Sequence, residues 1–97
     1  MAYKLRWSEE SIRTLDEIID DIRRKWTELE VNNFKLKLSH QLNLIKQNPL
    51  MFPASSRHPS LRKAVLSKQT TVFYVIQDET VFLAYIHLNR KDDGSLK

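Results

Sequence analysis

A helix-start signal that directly follows another helical pattern constrains the fold of this sequence more than any other feature. Thr27 and Glu30 form a capping box, in which the threonine oxygen and the glutamate carboxylate each satisfy a free backbone amide. The preceding pattern ends in three basic residues at 23–25, the charge that a helix C-terminus favours. Two helices therefore meet with almost no loop between them, which predicts an antiparallel helical hairpin.

Each predicted helix has one apolar side. The first helix begins after the capping residue Ser8, and its apolar stripe comprises Ile12, Leu15, Ile18, Ile19, Ile22 and Trp26. The stripe of the second helix comprises Val31, Phe34, Leu38, Leu42 and Ile45. This helix ends at Asn48, because the residue before a proline disfavours the helical conformation. The two stripes predict that the hairpin lies on a core.

Four segments with strand character surround the hairpin. Tyr3, Leu5 and Trp7 alternate with basic residues, which predicts a half-buried first strand. A loop over residues 50–60 precedes β-rich runs at 61–66, 70–77 and 80–87, and the last two are joined by a tight turn at 78–79. The order β-α-α-β-β-β predicts an α+β fold, a single domain over residues 1–97 in which the helical hairpin packs on a mostly antiparallel four-stranded sheet.

The helices of such a fold cover only one face of its sheet. The runs at 72–76 and 81–86 are apolar on both faces of their strands. The second face of the sheet therefore requires a loop, the tail of the chain or a partner to cover it.

Basic residues are concentrated in the middle of the chain. Residues 31–77 contain seven Lys and Arg and no Asp or Glu, whereas both flanking parts have a small negative balance. A positive stretch without neutralising carboxylates attracts polyanions, either nucleic acid or an acidic protein partner. A solvated basic face without a partner is the alternative interpretation.

Several kinds of chemistry have no basis in this sequence. The chain has no cysteine and one glycine, which excludes disulfides, a thiolate nucleophile and a glycine-rich phosphate loop. The histidines His40, His58 and His87 lack ligand spacing, so we expect no metal and no other cofactor. No apolar run approaches the ~20 residues that span a bilayer, and no signal-peptide core is present, so we expect a cytoplasmic protein without a membrane partner.

The candidate binding residues are basic residues on or next to the predicted strands, which we expect to lie around one face of the sheet. They are Arg62, Lys63, Lys68, Arg90 and Lys91. Such cations stabilise the phosphorane formed when RNA is cleaved without a metal. His87, at the end of the last strand, either serves as an acid there or hydrogen-bonds the backbone.

Residues with a recognisable order and spacing extend over nearly the whole chain. They are Tyr3, Leu5, Trp7 and Ser8; Leu15, Ile18 and Ile19; Trp26 and Phe34; Leu38, Leu42, Ile45, Asn48 and Pro49; Leu61, Arg62 and Lys63; Phe73, Tyr74 and Ile76; and His87 with Arg90. Together they resemble the RelE/ParE superfamily of bacterial toxins from type II toxin–antitoxin modules, which includes plasmid stabilisation toxins. The fold that this resemblance implies is the one predicted above from periodicity.

The resemblance implies two possible modes of toxin action. ParE-like members inhibit growth by binding a cellular target such as DNA gyrase, and the long hairpin and the Asn48-Pro49 junction resemble that branch. RelE-like members are metal-independent, ribosome-dependent mRNA endoribonucleases. In that branch Arg62, His87 and Arg90 are the expected catalytic residues, and no tyrosine after Tyr85 replaces the tail tyrosine typical of these members.

The resemblance also implies a protein partner. A cognate antitoxin would neutralise the toxin with an acidic, amphipathic segment, and Lys63, Lys68 and Lys91 are the expected residues for binding a partner or substrate. A homodimer or a hetero-oligomer with the antitoxin is expected. A non-toxic small basic binding domain is the third alternative, because a fold does not determine a function.

Overall fold

The computed structural model describes residues 2–88 of the 97-residue chain. Its elements are β1 (Lys4–Trp7), α1 (Glu9–Lys25), α2 (Glu28–Gln47), a short 3₁₀ helix (Pro49–Met51), β2 (Arg62–Val65), β3 (Thr70–Gln77) and β4 (Thr80–Leu88). The order β-α-α-β-β-β and the packing of two helices on a mostly antiparallel four-stranded sheet confirm the predicted α+β fold.

Side-chain hydroxyl groups cap both helices at the predicted positions. The Ser8 Oγ accepts a hydrogen bond from the Ser11 amide at 3.0 Å, and the Thr27 Oγ1 accepts one from the Glu30 amide at 3.4 Å. Because only residues 26–27 separate α1 from α2, the chain reverses direction as the capping box predicts. Neither helix in the part of the chain described is long and apolar enough to cross a bilayer.

The sheet has the order β1-β4-β3-β2. β1 is parallel to β4, and the other two pairings are antiparallel. β3 and β4 form a hairpin whose two-residue turn contains Asp78 with φ 57°. Aspartate is one of the few residues that adopt this left-handed conformation readily, so the turn forms where the sequence predicts it.

The core lies between the hairpin and one face of the sheet. It comprises Ile18, Leu38, Leu42, Ile45, Ala64, Val72, Tyr74, Val81, Leu83 and Ile86. Trp26 was expected on the inward stripe of α1, but its side chain is 65% exposed. The reason is that Trp26 is the C-cap residue, with extended backbone angles that take it off the helical stripe.

Two hydrogen bonds hold α2 against the edges of the sheet. The Tyr3 amide donates to the Lys46 carbonyl at 2.8 Å, and the Gln41 Nε2 donates to the Val65 carbonyl at 3.2 Å. These bonds connect α2 to the residue that precedes β1 and to the last residue of β2, and β1 and β2 are the two edge strands of the sheet. They therefore fix the position of α2 across the sheet.

A β-bulge in β4 determines which of its side chains face the core. Phe73 pairs with Tyr85, whereas the next residue of β3, Tyr74, pairs with Leu83, so Ala84 is the additional residue. The bulge shifts the alternation of β4 by one position, and the buried residues are Leu83 before it and Ile86 after it. Tyr85 therefore lies on the opposite face, away from the helices.

Candidate functional site: the open face of the sheet

The face of the sheet opposite the helices carries three aromatic rings at its centre. The rings of Phe73 and Tyr85 are stacked, with centroids 4.8 Å apart and planes inclined by 21°. Phe82 lies on the same face and is 37% exposed. We call this surface the open face, and strand alternation places on it Lys4, Arg6, Lys63, Val65, Thr71, Phe73, Val75, Gln77, Thr80, Phe82, Tyr85 and His87.

Each edge strand places a cation next to one of these rings. Arg6 of β1 pairs with Phe82, and Lys63 of β2 pairs with Phe73. Residues paired directly across neighbouring strands have adjacent side chains on the same face. The aromatic centre therefore lies between two positive charges, one on each edge of the sheet.

No carboxylate belongs to the strand positions that form the open face within residues 2–88. The nearest acidic residues in sequence, Asp78 and Glu79, are in the turn at one end of β3 and β4. Aromatic rings flanked by cations bind flat or apolar groups by stacking and anionic groups by charge. This arrangement suits a ligand that is both apolar and negatively charged.

Arg62 lies on the covered face, not on the open face. It pairs with the buried Tyr74, and its guanidinium donates a hydrogen bond of 2.6 Å to the Phe52 carbonyl. This placement corrects the expectation that Arg62 and Lys63 share one face, because adjacent residues of a strand point to opposite sides of the sheet. Lys63 is the one of the two that lies on the open face, and it is exposed.

Two aromatic residues in contact with each other, Tyr74 and Phe52, lie next to Arg62 on the covered face. The Tyr74 hydroxyl donates to the Pro49 carbonyl at 2.6 Å, and the Phe52 ring meets the Tyr74 ring edge-on at 6.4 Å. Burial raises the pKa of Tyr74 to about 12, and the positive charge of Arg62 opposes that rise. Tyr74 is therefore neutral at physiological pH and serves as a hydrogen-bond donor that holds the 3₁₀ segment.

The other predicted site residues are distributed differently. His87 lies on the open face opposite Thr71 and is exposed. Lys68 lies in the turn between β2 and β3, outside the strand positions that form the face. Arg90 and Lys91 lie outside the described residues. Of the predicted residues, the structure thus brings Lys63 and His87 together on one face, and the roles assigned to all of them remain predictions.

Sequence reasoning missed most of the residues that make up the open face. Lys4 and Arg6 alternate with the inward residues of β1, so the same periodicity that predicts the strand places them on the other side. The sequence does not predict a face for Tyr85 and leaves two alternatives for His87, because the orientation of both residues depends on the bulge at Ala84. No local signal in the sequence marks that bulge.

The similarity of this chain to known proteins is one of structure. No family model and no curated protein matches the sequence. A chain from the chromosomal ParDE toxin–antitoxin system of P. aeruginosa superposes with a TM-score of 0.76 at 15% identity, covering 90% of this chain and 96% of that one. The chain has the fold of the RelE/ParE toxins.

Two further solved structures share the RelE/ParE fold. A chain of the RelBE2 toxin–antitoxin complex from Mycobacterium tuberculosis matches with a TM-score of 0.61 at 15% identity, covering 91% of this chain and 99% of that one. A mutant of the E. coli toxin RelE in the free state matches with a TM-score of 0.52 at 21% identity, covering 96% of this chain and 90% of that one. The RelE/ParE fold therefore accounts for nearly the whole chain, as the resemblance in sequence implied.

Proposed function

We propose that this chain is the toxin of a type II toxin–antitoxin module, acts in the cytoplasm and is of the ParE-like kind, which inhibits growth by binding a cellular target such as DNA gyrase. The observation that carries this proposal is the open face, with aromatic rings at its centre and Arg6 and Lys63 at its edges. The superposition on a chain of the ParDE system, with a higher TM-score than those of the RelBE2 and RelE structures above, supports the ParE-like kind.

The arrangement of the open face suits a protein target. Binding energy at protein interfaces is concentrated in central aromatic residues, with a polar rim that excludes water around them. Phe73, Phe82 and Tyr85 occupy the central position on the open face, and the cations occupy the rim. The target surface is then expected to carry carboxylates opposite Arg6 and Lys63, which accelerate association and fix its orientation.

A ribosome-dependent mRNA endoribonuclease is the second candidate function. The observation that favours it is that His87 and Lys63 lie on the same face as the stacked rings. The rings would stack on unpaired bases, and Lys63 would bind phosphate. The 2′ oxygen of the RNA would attack the phosphorus and lose its proton to water, the bond between phosphorus and the 5′ oxygen would break, and His87 would protonate that leaving oxygen. Arg62 and Arg90 are the further residues that the resemblance assigns to this activity, which requires no metal.

Expression in a bacterial host separates these functions. We expect induction of the chain to arrest growth, with filamentous cells, DNA breaks that depend on gyrase, and intact mRNA. Shortened transcripts that disappear in His87→Ala or Arg90→Ala would support the ribonuclease instead. If growth is unimpaired although folded protein is shown to be present, the result would favour the third alternative, a non-toxic basic binding domain.

Charge reversals test whether the open face is the surface that acts. We expect Arg6→Glu and Lys63→Glu each to relieve growth arrest, because each places a negative charge beside an aromatic ring of the open face. Lys37→Glu is the matched control, since Lys37 is an exposed lysine of α2, the helix that packs on the covered face of the sheet. Equal relief by all three variants would contradict a role for the open face.

A further inference from the structure

The side of α2 that faces away from the sheet carries a row of exposed residues without Lys, Arg, Asp or Glu. Its members recur at spacings of three or four along the helix, and we call them the outer row: Leu29, Asn33, Leu36, His40, Asn43 and Gln47. The buried residues of α2 lie on the opposite side of the helix, at 31, 38, 42 and 45. The outer row therefore takes no part in the core of this chain.

The apolar members of the outer row have the spacing of a helix–helix contact. Leu29 and Leu36 are seven residues apart and are 65% and 70% exposed. Apolar residues at this spacing form the seam between two paired helices, and a polar residue within the seam determines which alignment is adopted. Asn33 lies between the two leucines. The outer row is therefore suited to pairing with another helix.

One acidic and one basic residue flank the outer row on the same side. Glu30 and Lys37 are seven residues apart, and both line a cavity that Leu66, after β2, also borders. No residue three or four positions from either one carries an opposite charge. Neither side chain forms an ion pair within residues 2–88. Both charges are therefore available to a partner.

We propose that a second copy of this chain binds the outer row, with the two α2 helices antiparallel and related by a twofold axis near Asn33. In this alignment Glu30 of one copy lies level with Lys37 of the other. The twofold symmetry forms this ion pair twice, because the same surface is used by both copies. The single carboxylate and the single ammonium group of each copy are then both neutralised.

The same alignment covers the exposed apolar residues. Leu29 of one copy lies within about 3 Å, along the helix axis, of the position of Leu36 in the other copy. Asn33 lies beside its own counterpart, where the two amides can hydrogen-bond each other. His40 lies level with the end of α1 in the second copy, next to the exposed Trp26. One alignment therefore accounts for the leucines, the charges and the tryptophan together.

Charge favours a second copy over a partner of another kind. A surface of one sign would repel either Glu30 or Lys37. A parallel pair of α2 helices would place Glu30 next to Glu30 and Lys37 next to Lys37. The antiparallel second copy is the arrangement in which each charge meets its opposite.

The expected dimer is small and leaves the open face accessible. The contact from Trp26 to His40 extends over about 21 Å. Such an interface is at the lower end of the size range of specific complexes, so we expect dissociation at about micromolar concentrations. Because α2 packs on the covered face, the open face of both copies remains free. The inference is therefore independent of the proposed function.

Single cysteines test the alignment, because the chain has no cysteine of its own. We expect Asn33→Cys to form a disulfide-linked dimer under mild oxidation of the full chain. Asn43→Cys is the matched control, since it replaces another exposed asparagine of the outer row. In the antiparallel dimer the two copies of position 43 are about 28 Å apart along the helix axis, so this variant should remain monomeric. Equal cross-linking of both variants would overturn the proposed alignment.

Charge reversals test the ion pairs in sedimentation velocity experiments over a range of protein concentrations. Glu30→Lys and Lys37→Glu should each weaken self-association at least about tenfold, because each places like charges opposite one another twice. A mixture of these two variants should associate about as tightly as the unmodified chain, since opposite charges then meet at both pairs. Loss of folding cannot produce that gain. The control Lys63→Glu, on the open face, should change association less than about twofold.

Two further results would overturn the inference: a monomer at concentrations up to about 1 mM, or a mixture that associates no more tightly than either variant alone. The growth assay distinguishes this inference from the proposed function. A chain that arrests growth but sediments as a monomer retains the proposed function and loses the dimer. A chain that forms the dimer without arresting growth loses the proposed function alone.

Discussion

The hydroxyl of Ser8 donates a hydrogen bond of 2.9 Å to the carbonyl oxygen of Ala84, a residue 76 positions later in the chain. The Ser8 Oγ also accepts a hydrogen bond from the Ser11 amide and so caps α1. Ala84 is the bulge residue of β4, and two residues later the Ile86 amide donates to the Thr14 Oγ1 at 3.0 Å. Two hydroxyls from the start of α1 thus hold the bulge that turns Tyr85 toward the open face.

Removing the Ser8 hydroxyl should therefore destabilise the protein through two lost contacts. We expect Ser8→Ala to lower the free energy of unfolding by about 1–2 kcal/mol, the combined effect of a lost N-cap and a lost hydrogen bond. Urea unfolding followed by circular dichroism measures this. The control is Ser60→Ala, at an exposed serine of the loop, which should change stability by less than about 0.5 kcal/mol. Equal effects of both variants would contradict the role of Ser8.

Alkaline pH should destabilise the fold through Tyr74. Its pKa is about 12 in the folded protein and about 10 in an unfolded chain, so the folded state holds this proton more tightly. Stability from this group is fully present below pH 10 and is lost as the pH rises toward 12. The measurement is the free energy of unfolding from pH 9 to 12.

The phenylalanine variant provides the control for this pH dependence. Tyr74→Phe has no phenol to ionise, so the part of the alkaline loss that comes from Tyr74 should be absent. At neutral pH the same variant should be less stable by about 1 kcal/mol, because the hydrogen bond to the Pro49 carbonyl is lost. Parallel stability curves for the two proteins above pH 10 would refute the assignment.

Removal of either stacked ring should impair growth arrest more than it impairs the stability of the fold. We expect Phe73→Ala and Tyr85→Ala each to relieve growth arrest, because the two rings form the centre of the open face. Loss of the stacking itself costs about 0.5–1.5 kcal/mol, so thermal unfolding should still be cooperative. Leu36→Ala removes a side chain that is 70% exposed on α2 and serves as the control that should still arrest growth.

Substitution of the two adjacent cations of β2 should affect different properties, stability for Arg62 and growth arrest for Lys63. Arg62→Met leaves the Phe52 carbonyl without its guanidinium donor, and we expect a loss of about 1–3 kcal/mol in stability. Lys63→Met on the exposed side should cost less than about 0.5 kcal/mol but should reduce growth arrest. Unfolding curves and growth curves of the two variants test this prediction. A larger stability loss for Lys63→Met would contradict the assignment of faces.

The elements that the sequence predicts well are those with local signals. Ser8 and Thr27 mark helix starts through bonds to residues three positions away, and the turn at Asp78 joins neighbouring strands. The side of β2 that faces the core was not predictable in this way. The larger apolar residue Val65 is 58% exposed, while Ala64, which pairs with the buried Val72, is fully buried.

The site was predictable in part for the same reason. Lys63 and His87 carry suitable chemistry, and that is visible in the sequence. The face on which each lies depends on the register between β3 and β4, including the additional residue at Ala84. Register is determined by packing between strands, so it cannot be predicted from a short segment of neighbouring residues.

The parallel pairing of β1 with β4 has a consequence for the order of folding during synthesis. β1 leaves the ribosome early but acquires its strand neighbour only after Thr80–Leu83 have been translated. Arg6 and Phe82 become adjacent at that late stage, whereas the helical hairpin has all of its own residues long before. When the residues of the hairpin have been translated, the surface that we assign to the target is therefore still incomplete. Two segments far apart in the chain must meet before that surface exists.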